Sequence, residues 1–129
     1  EPQLLDRQMK YGQSLFACDG YDVYSNRSWI FGNGHVARVV NVSMQCETGG
    51  EFKTALNAGI FKAVWFQVVS DGKYQLYDWT VKVDPDCVFF PDRLRALLPA
   101  FDASASPSGV YLNNCRFGLH GPLEGLSKA

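Results

Sequence analysis

The stretch WTVKVDPDCVFF, residues 79–90, joins an alternating apolar pattern to two carboxylates that flank a proline. Residues 77–83 place apolar side chains on one face and polar ones on the other, which predicts a β-strand. Pro85 favours extended backbone and cannot donate to a strand ladder, so it marks the end of that strand. If the backbone stays extended, Asp84 and Asp86 lie side by side on the polar face.

The pair Asp84 and Asp86 supports two interpretations. Adjacent carboxylates repel each other, and a divalent cation with hard oxygen ligands, such as Mg²⁺, Mn²⁺ or Ca²⁺, would relieve that repulsion. In open α/β sheets, ligands bind outside the carboxyl ends of the strands, where such an ion could bridge two phosphates. The alternative is an ordinary acidic turn exposed to solvent. The local sequence leaves both open.

Helices are predicted on both sides of this strand. From residue 51 to about 69 the apolar residues recur at i, i+3 and i+4, with Thr48 or Gly50 as the cap and the segment 70–72 as the stop. A second, short helix is predicted over 91–98, with a proline near its first turn, where the missing N–H costs little.

Further strands are predicted within 14–25, 36–44 and 110–114, and the glycine-containing segment 115–129 is expected to enter another helix. Strands and helices therefore alternate along the chain. This order predicts an α/β fold with a mostly parallel central sheet and flanking helices, in a three-layer sandwich.

The composition is that of one globular domain, predicted over 14–129 after a polar N-terminal arm or short helix over 1–13. Of the 129 residues 47% are hydrophobic, and twelve basic against thirteen acidic residues give a net charge of −1. Nucleic acid and anionic membranes are therefore poor candidates as partners. The most apolar run, 60–69, is too short to span a bilayer.

The cysteines and two glycosylation sequons bear on the compartment. Four cysteines allow three disulfide pairings, and no Cys-x-x-Cys or Cys/His spacing supports zinc. The sequons begin at Asn26 and Asn41. Together these features favour an oxidising, lumenal or secretory compartment. Free buried thiols and unused sequons are the alternative.

Three segments in order carry a family resemblance. They are SLFACDGYDVYSN (14–26), YDWTVKVDPDCVFFPDRLRALL (77–98) and GVYLNNCRFGLHGPLEGLSKA (109–129). The first is similar to the initial strand, the second to the Asp-x-Asp region and the third to the acceptor-side segment of GT-A-type glycosyltransferase-like proteins of algal protists. The likeness covers nearly the whole chain and implies a GT-A-like, truncated Rossmann-like fold.

The resemblance also implies roles for particular residues. Asp84 and Asp86 would hold Mn²⁺ or Mg²⁺ together with the diphosphate of a sugar nucleotide. Asp19, near the end of the first predicted strand, would lie close to the nucleotide, although a turn residue before a glycine has the same pattern. Glu124 would contact an acceptor, although a carboxylate at a helix entry looks alike.

The remaining catalytic groups are not identified in this sequence. In the family, a catalytic acidic residue and often a histidine metal ligand come from a C-terminal half that follows this region. The chain is therefore expected to be the donor-binding half alone. His120 is a candidate metal ligand and His35 a weaker one. The alternative for both is a structural role, because a histidine in a loop usually has structural partners only.

Two functions from different classes remain open. The first is a glycosyltransferase-like domain that binds a nucleotide sugar through a divalent metal at residues 84–86. The second is a non-catalytic accessory subunit of a larger assembly, such as a membrane-associated photosynthetic or lumenal complex of an alga, in which aromatic side chains meet partners. A sugar-binding module without transfer is a third interpretation.

Overall fold

The computed structural model describes residues 2–50, 53–116, 118–119 and 121–128, apart from the side chain of Thr54. The described chain divides into two compact units, which are Asp22–Lys73 (the inserted unit) and Glu1–Tyr21 with Tyr74–Ala129 (the flanking unit). In chain order the helices and strands are α1 (Pro2–Lys10), β1 (Tyr24–Ser25), β2 (Arg38–Val39), β3 (Thr48–Gly49), β4 (Thr54–Ala55), α2 (Ala58–Asp71), β5 (Trp79–Val83), α3 (Pro91–Leu97) and β6 (Leu123–Ser127).

The inserted unit pairs short strands beside a small apolar core. Strands β1 and β2 are parallel, with Tyr24 opposite Arg38, whereas β3 and β4 are antiparallel. The buried apolar side chains of this unit are Phe31, Ala37 and Val40. Ala37 and Val40 flank β2, so the core of this unit lies around that strand. Burial of such side chains supplies most of the favourable free energy of folding.

Helix α2 confirms the helical period predicted from the sequence, with a corrected beginning. It ends as expected at Gly72, which adopts φ +68° and donates its N–H to the Val68 carbonyl oxygen at 3.1 Å. It begins at Ala58 after Asn57, and not near residue 51. The predicted caps were wrong because Thr48 lies in β3, whose pairing with β4 extends the chain ahead of the helix.

Helix α2 is rich in apolar residues, most of them half-buried, and it also carries exposed polar side chains at Lys62 and Ser70. Nine of its 14 residues are apolar (two Ala, three Val, two Phe, one Ile and one Trp), and none of the 14 is buried. Phe66 is 67% exposed and Val69 is 57% exposed. Across the described ranges, no helix has both the length and the apolar character that a membrane crossing requires.

The flanking unit contains an antiparallel pair of strands that are distant in sequence, β5 with β6. Lys82 lies opposite Glu124 in this ladder. The predicted strand over 77–83 is confirmed for β5, whereas the helix predicted within 115–129 is wrong, since β6 is a strand. Gly125 explains the difference. It disfavours a helix, and it lets β6 approach Leu112 so closely that an added Cβ would meet the Leu112 Cδ1 at 2.9 Å.

The helix predicted over 91–98 is confirmed as α3, with a proline in its first turn. The polar N-terminal segment forms α1, the helical alternative for 1–13. Residues 14–25 are mostly not a strand, because Ser14–Ala17 forms a 3₁₀ helix and only β1 is extended and paired. The strand expected over 110–114 contributes a single bridge, between Tyr111 and Leu126.

The described strands do not build the mostly parallel central sheet expected from the sequence. They form three separate two-stranded ladders, of which only β1–β2 is parallel. The physical reason lies in the strand-like run 36–44, where polar residues interrupt the β-branched ones and only two residues enter a ladder. The ladders do not by themselves form a GT-A-like sandwich. That fold stays a prediction from the resemblance.

Candidate functional site

The segment Asp84-Pro85-Asp86 is a β-turn at the end of β5. The Cys87 N–H donates to the Asp84 carbonyl oxygen at 3.0 Å, and the Asp84 N–H donates to the Pro122 carbonyl oxygen at 2.8 Å. Proline at the first central position of the turn has the φ that such turns require. The predicted extended path through the proline is therefore wrong, because the turn redirects the chain between the two aspartates.

Lys82 is the cation that the structure places beside this turn. Its Nζ lies 2.7 Å from the Asp84 Oδ1 and 3.7 Å from the Glu124 Oε1, and it donates to the Gly121 carbonyl oxygen at 3.2 Å. The side chain of Lys82 is 11% exposed. Asp84 lies two residues after Lys82, just past the end of β5, and the register of β5 against β6 makes Glu124 the cross-strand partner of Lys82.

The residues at the turn do not fit a divalent cation in this arrangement. Mn²⁺ or Mg²⁺ would need carboxylate oxygens at about 2.0–2.2 Å from the ion. Of the two candidate ligands, Asp84 already binds the Lys82 ammonium. An ammonium and a metal ion at the same oxygen would repel each other. No group of three or more His, Cys, Asp or Glu that could hold a metal occurs among the described residues.

Asp86 is the more exposed member of the pair. Its side chain and that of Asp84 both influence the Cys87 thiol, whose pKa is raised by burial first and then by the two carboxylates. A raised pKa keeps the thiol protonated near neutral pH, which disfavours it as a nucleophile or metal ligand. The turn thus gathers negative charge and a protonated thiol around one lysine.

Asp19 lies apart from this turn in its contacts. It follows the 3₁₀ helix Ser14–Ala17, and its side chain is 80% exposed. The Arg95 guanidinium of α3 binds its carboxylate at 3.1 Å and also donates to the Ala17 carbonyl oxygen at 3.2 Å. These contacts connect α3 to the 3₁₀ helix Ser14–Ala17 and the residues after it. The proximity of Asp19 to a nucleotide stays a prediction.

The histidines and Glu124 have different outcomes. His120 lies outside the described residues. The Nε2 of His35 lies 3.6 Å from the Asp22 Oδ1 in the inserted unit, which is a structural partner of the kind expected for a loop histidine. Glu124 lies in β6, so the helix-entry interpretation is wrong, and its carboxylate faces Lys82.

Sequence reasoning missed a charge cluster in the inserted unit, formed by Asp22, Arg38, Asp71 and Lys73. Asp22 binds the Arg38 Nε at 3.2 Å and the Lys73 Nζ at 3.1 Å, and the Arg38 Nη1 reaches Asp71 at 3.4 Å. The formal charges of the four residues cancel. The cluster therefore joins β2 to the end of α2 without leaving charge for a ligand.

Asp71 completes this cluster through neutral donors. The Tyr24 hydroxyl donates to its Oδ2 at 3.0 Å and the Gln67 amide donates to its Oδ1 at 2.9 Å. The Gln67 bond is the main cause of the lowered pKa of Asp71, and the Tyr24 bond and Arg38 add to it. The Gln67 contact has the i, i+4 spacing of a helix, whereas no local spacing signals the Tyr24 contact, because Tyr24 and Asp71 are 47 residues apart.

The four cysteines are free in the structure, so none of the three pairings is formed. Burial raises the pKa of the Cys18 thiol, an effect that Arg95 opposes and Asp19 reinforces. The lumenal or secretory compartment stays a prediction from the sequons and the cysteine count.

Comparison with known proteins found no match among family models, curated proteins or solved structures. The glycosyltransferase resemblance therefore stands on the sequence segments alone, and function has to be argued from the residues themselves.

Proposed function

We propose that this chain is a non-catalytic accessory subunit that binds a protein partner through helix α2. The observation that carries the proposal is the exposed apolar surface of that helix, on which Phe66 is 67% and Val69 is 57% exposed. A helix in which apolar residues outnumber polar ones as they do in α2, nine of 14, normally buries its apolar side chains in a protein core or against another component. In this chain the component that covers α2 is a partner.

The free energy available from such a partner is substantial. Burial of apolar surface contributes roughly 25 cal/mol per Å², and a large aromatic such as Phe66 supplies a correspondingly large share. Contiguous exposed apolar surface on a folded protein commonly marks an interaction site. A 14-residue helix is about 21 Å long, which is long enough to form the centre of a protein–protein interface.

The geometry of the Asp84 turn is consistent with a non-catalytic role. Among the described residues the cation beside it is Lys82, which already binds Asp84 and faces Glu124. A sugar nucleotide carries a diphosphate, which needs an available cation to offset its charge. With Lys82 engaged, the turn is a structural element that ends β5.

Stoichiometric co-purification from the native source tests the proposal. We expect the wild-type chain to be recovered with a partner at a fixed ratio and without sugar-nucleotide turnover. Phe66→Gln combined with Val69→Gln should remove the partner, whereas Ser70→Gln, at an exposed polar position of the same helix, should retain it. Isolation of the natural protein as a monomer that transfers sugar would contradict the proposal.

A nucleotide-sugar donor site is the second candidate function. The observation in its favour is that Asp84 and Asp86 lie in one turn at the end of a strand, as the resemblance implies. Calorimetric titration with Mn²⁺ and uridine or guanosine diphosphate tests it. Saturable heat that is lost in the double variant Asp84→Asn with Asp86→Asn would favour the donor site, and no heat with the intact chain would exclude it.

A further inference from the structure

The acidic group around the Asp84 turn already contains a positive charge. Asp84 and Glu124 approach the same Lys82 ammonium, and Asp86 belongs to the same turn. With three carboxylates and one ammonium, the formal charge of this group is −3 + 1 = −2. Without the lysine it would be −3, concentrated at one end of the β5–β6 ladder.

We propose that the Lys82 ammonium replaces a divalent cation in this chain, so that the Asp84-Pro85-Asp86 turn is held by an internal cation and binds no metal. The proposal is independent of any partner for α2. It contradicts what the Asp-x-Asp resemblance implies for the same residues, and the disagreement rests on one side chain.

The strand register keeps the lysine in place. Glu124 is directly opposite Lys82 in the ladder, and Asp84, which follows the last residue of β5, donates its N–H to the Pro122 carbonyl oxygen and reaches the Lys82 ammonium with its carboxylate. The ammonium has three N–H donors; it bonds to the Asp84 carboxylate and the Gly121 carbonyl oxygen, and Glu124 lies within ion-pair range. To admit a metal, Lys82 would have to leave all three oxygens together.

The same charges argue against a phosphate ligand at this turn. A diphosphate brings further negative charge to a group whose formal charge is already −2, and the cation that the described residues place there, Lys82, already binds Asp84. The net negative charge favours a cation over an anion as a ligand of this turn, and the cation that Asp84 and Glu124 meet in the structure is the Lys82 ammonium.

Titration of Mn²⁺ into wild-type and variant chains tests this inference. We expect no saturable heat from the wild type up to about 1 mM, the weak end of protein cation sites. Lys82→Met removes the ammonium and should bind one Mn²⁺ per chain, with a thermal unfolding midpoint that rises as Mn²⁺ is added. Lys82→Met with Asp84→Asn should lose both effects, and Lys62→Met, which removes an exposed lysine of α2, should behave as the wild type.

Two results would overturn the inference. One is saturable Mn²⁺ binding by the wild type that Asp84→Asn abolishes, because the lysine would then not close the site. The other is a folded Lys82→Met chain that binds no Mn²⁺, because the turn would then offer no cation site for the lysine to occupy. If Lys82→Met does not fold, the Lys82→Gln variant takes its place in the titration, because glutamine keeps a donor for the Gly121 carbonyl oxygen. If neither variant folds, the wild-type titration decides.

Discussion

At the residue scale, Asp22 shows how one carboxylate organises the charges of the inserted unit. Its side chain is only 8% exposed, and cationic groups of Arg38 and Lys73 bind its two oxygens at 3.2 and 3.1 Å. A carboxylate this enclosed is stable only because those partners replace its lost hydration. Neutralising Asp22 would remove a carboxylate from both cations, although Arg38 would keep its contact with Asp71 at 3.4 Å.

We expect Asp22→Asn to lower the free energy of unfolding by about 2 kcal/mol, the scale of a hydrogen bond to a charged group. Urea unfolding followed by circular dichroism measures the change. Asp92→Asn is the matched control, because Asp92 is 94% exposed and its pair with Arg95 is screened by solvent. Equal midpoints for the two variants would show that the Asp22 contacts add nothing to stability.

Asp71 gives the same unit a predicted acid sensitivity. Its pKa is lowered from the ordinary value of 3.8 because Gln67, Tyr24 and Arg38 favour the ionised form and outweigh the effect of burial. A group whose folded pKa is depressed contributes stability that is full above the unfolded pKa. That contribution is therefore lost as the pH falls below 3.8 and through the folded pKa.

The expected result is a pH-dependent gap between the wild type and Asp71→Asn. At about pH 6 the variant should be less stable by a constant amount, and the two unfolding free energies should converge as the pH falls below 3.8. Denaturant unfolding at a series of pH values measures the gap. A gap that is independent of pH down to the acid limit would show that the Asp71 charge contributes no stability.

At the element scale, local signals located the boundaries that glycine and proline mark, and missed those that depend on a distant strand. Gly72 ends α2 in the left-handed conformation that glycine adopts most easily, and Pro91 begins α3 where no N–H is needed. The start of α2 depended on the pairing of β3 with β4, which keeps the chain extended ahead of the helix. The strand character of β6 depended on its pairing with β5. Such partners have no signature within a short window of sequence.

Two glycine substitutions test the termination of α2. Gly72→Ala should destabilise the chain by about 1 kcal/mol, because alanine is strained at φ +68°. Gly59→Ala lies within the helix with nothing inside 4 Å of the added Cβ, and it should stabilise by up to about 1 kcal/mol. Opposite shifts of the urea midpoint are expected, and a stabilising Gly72→Ala would refute the capping role.

At the scale of the whole molecule, apolar side chains are distributed unusually between interior and surface. Among the described residues four apolar side chains are buried, whereas sixteen large ones are exposed. Scattered exposed apolar residues are common on monomers, but a helix with nine apolar residues of 14, none of them fully buried, is not. This distribution is what a subunit that completes its burial against partners would have.

The isolated chain should therefore bind a dye that reports exposed apolar surface, such as anilinonaphthalene sulfonate. We expect Phe66→Gln with Val69→Gln to reduce the dye fluorescence, while Ser70→Gln leaves it unchanged. Fluorescence at equal protein concentration, with folding verified by circular dichroism, provides the measurement. Weak fluorescence from the wild type, unaffected by the double variant, would argue that α2 is covered within the chain.

The sequence by itself determined the features that depend on near neighbours. Three features are each encoded within a short window of sequence, where steric preference and side-chain period act directly. They are the alternation that produces β5, the period of α2 and the proline that begins α3. The position of Asp84 at the end of a strand followed from the same local rules.

Only the tertiary structure decided which charges meet. Lys82 shares a face with Asp84 in the sequence pattern, but the approach of Glu124 and the Gly121 carbonyl required the register of β5 against β6. Asp22 likewise acquired its cations from distant segments. The physical reason is that an ion pair forms wherever packing brings opposite charges within a few ångströms, and local preference does not encode that distance. The chemistry of the acidic turn was therefore decided by a lysine and a strand partner, and not by the aspartates alone.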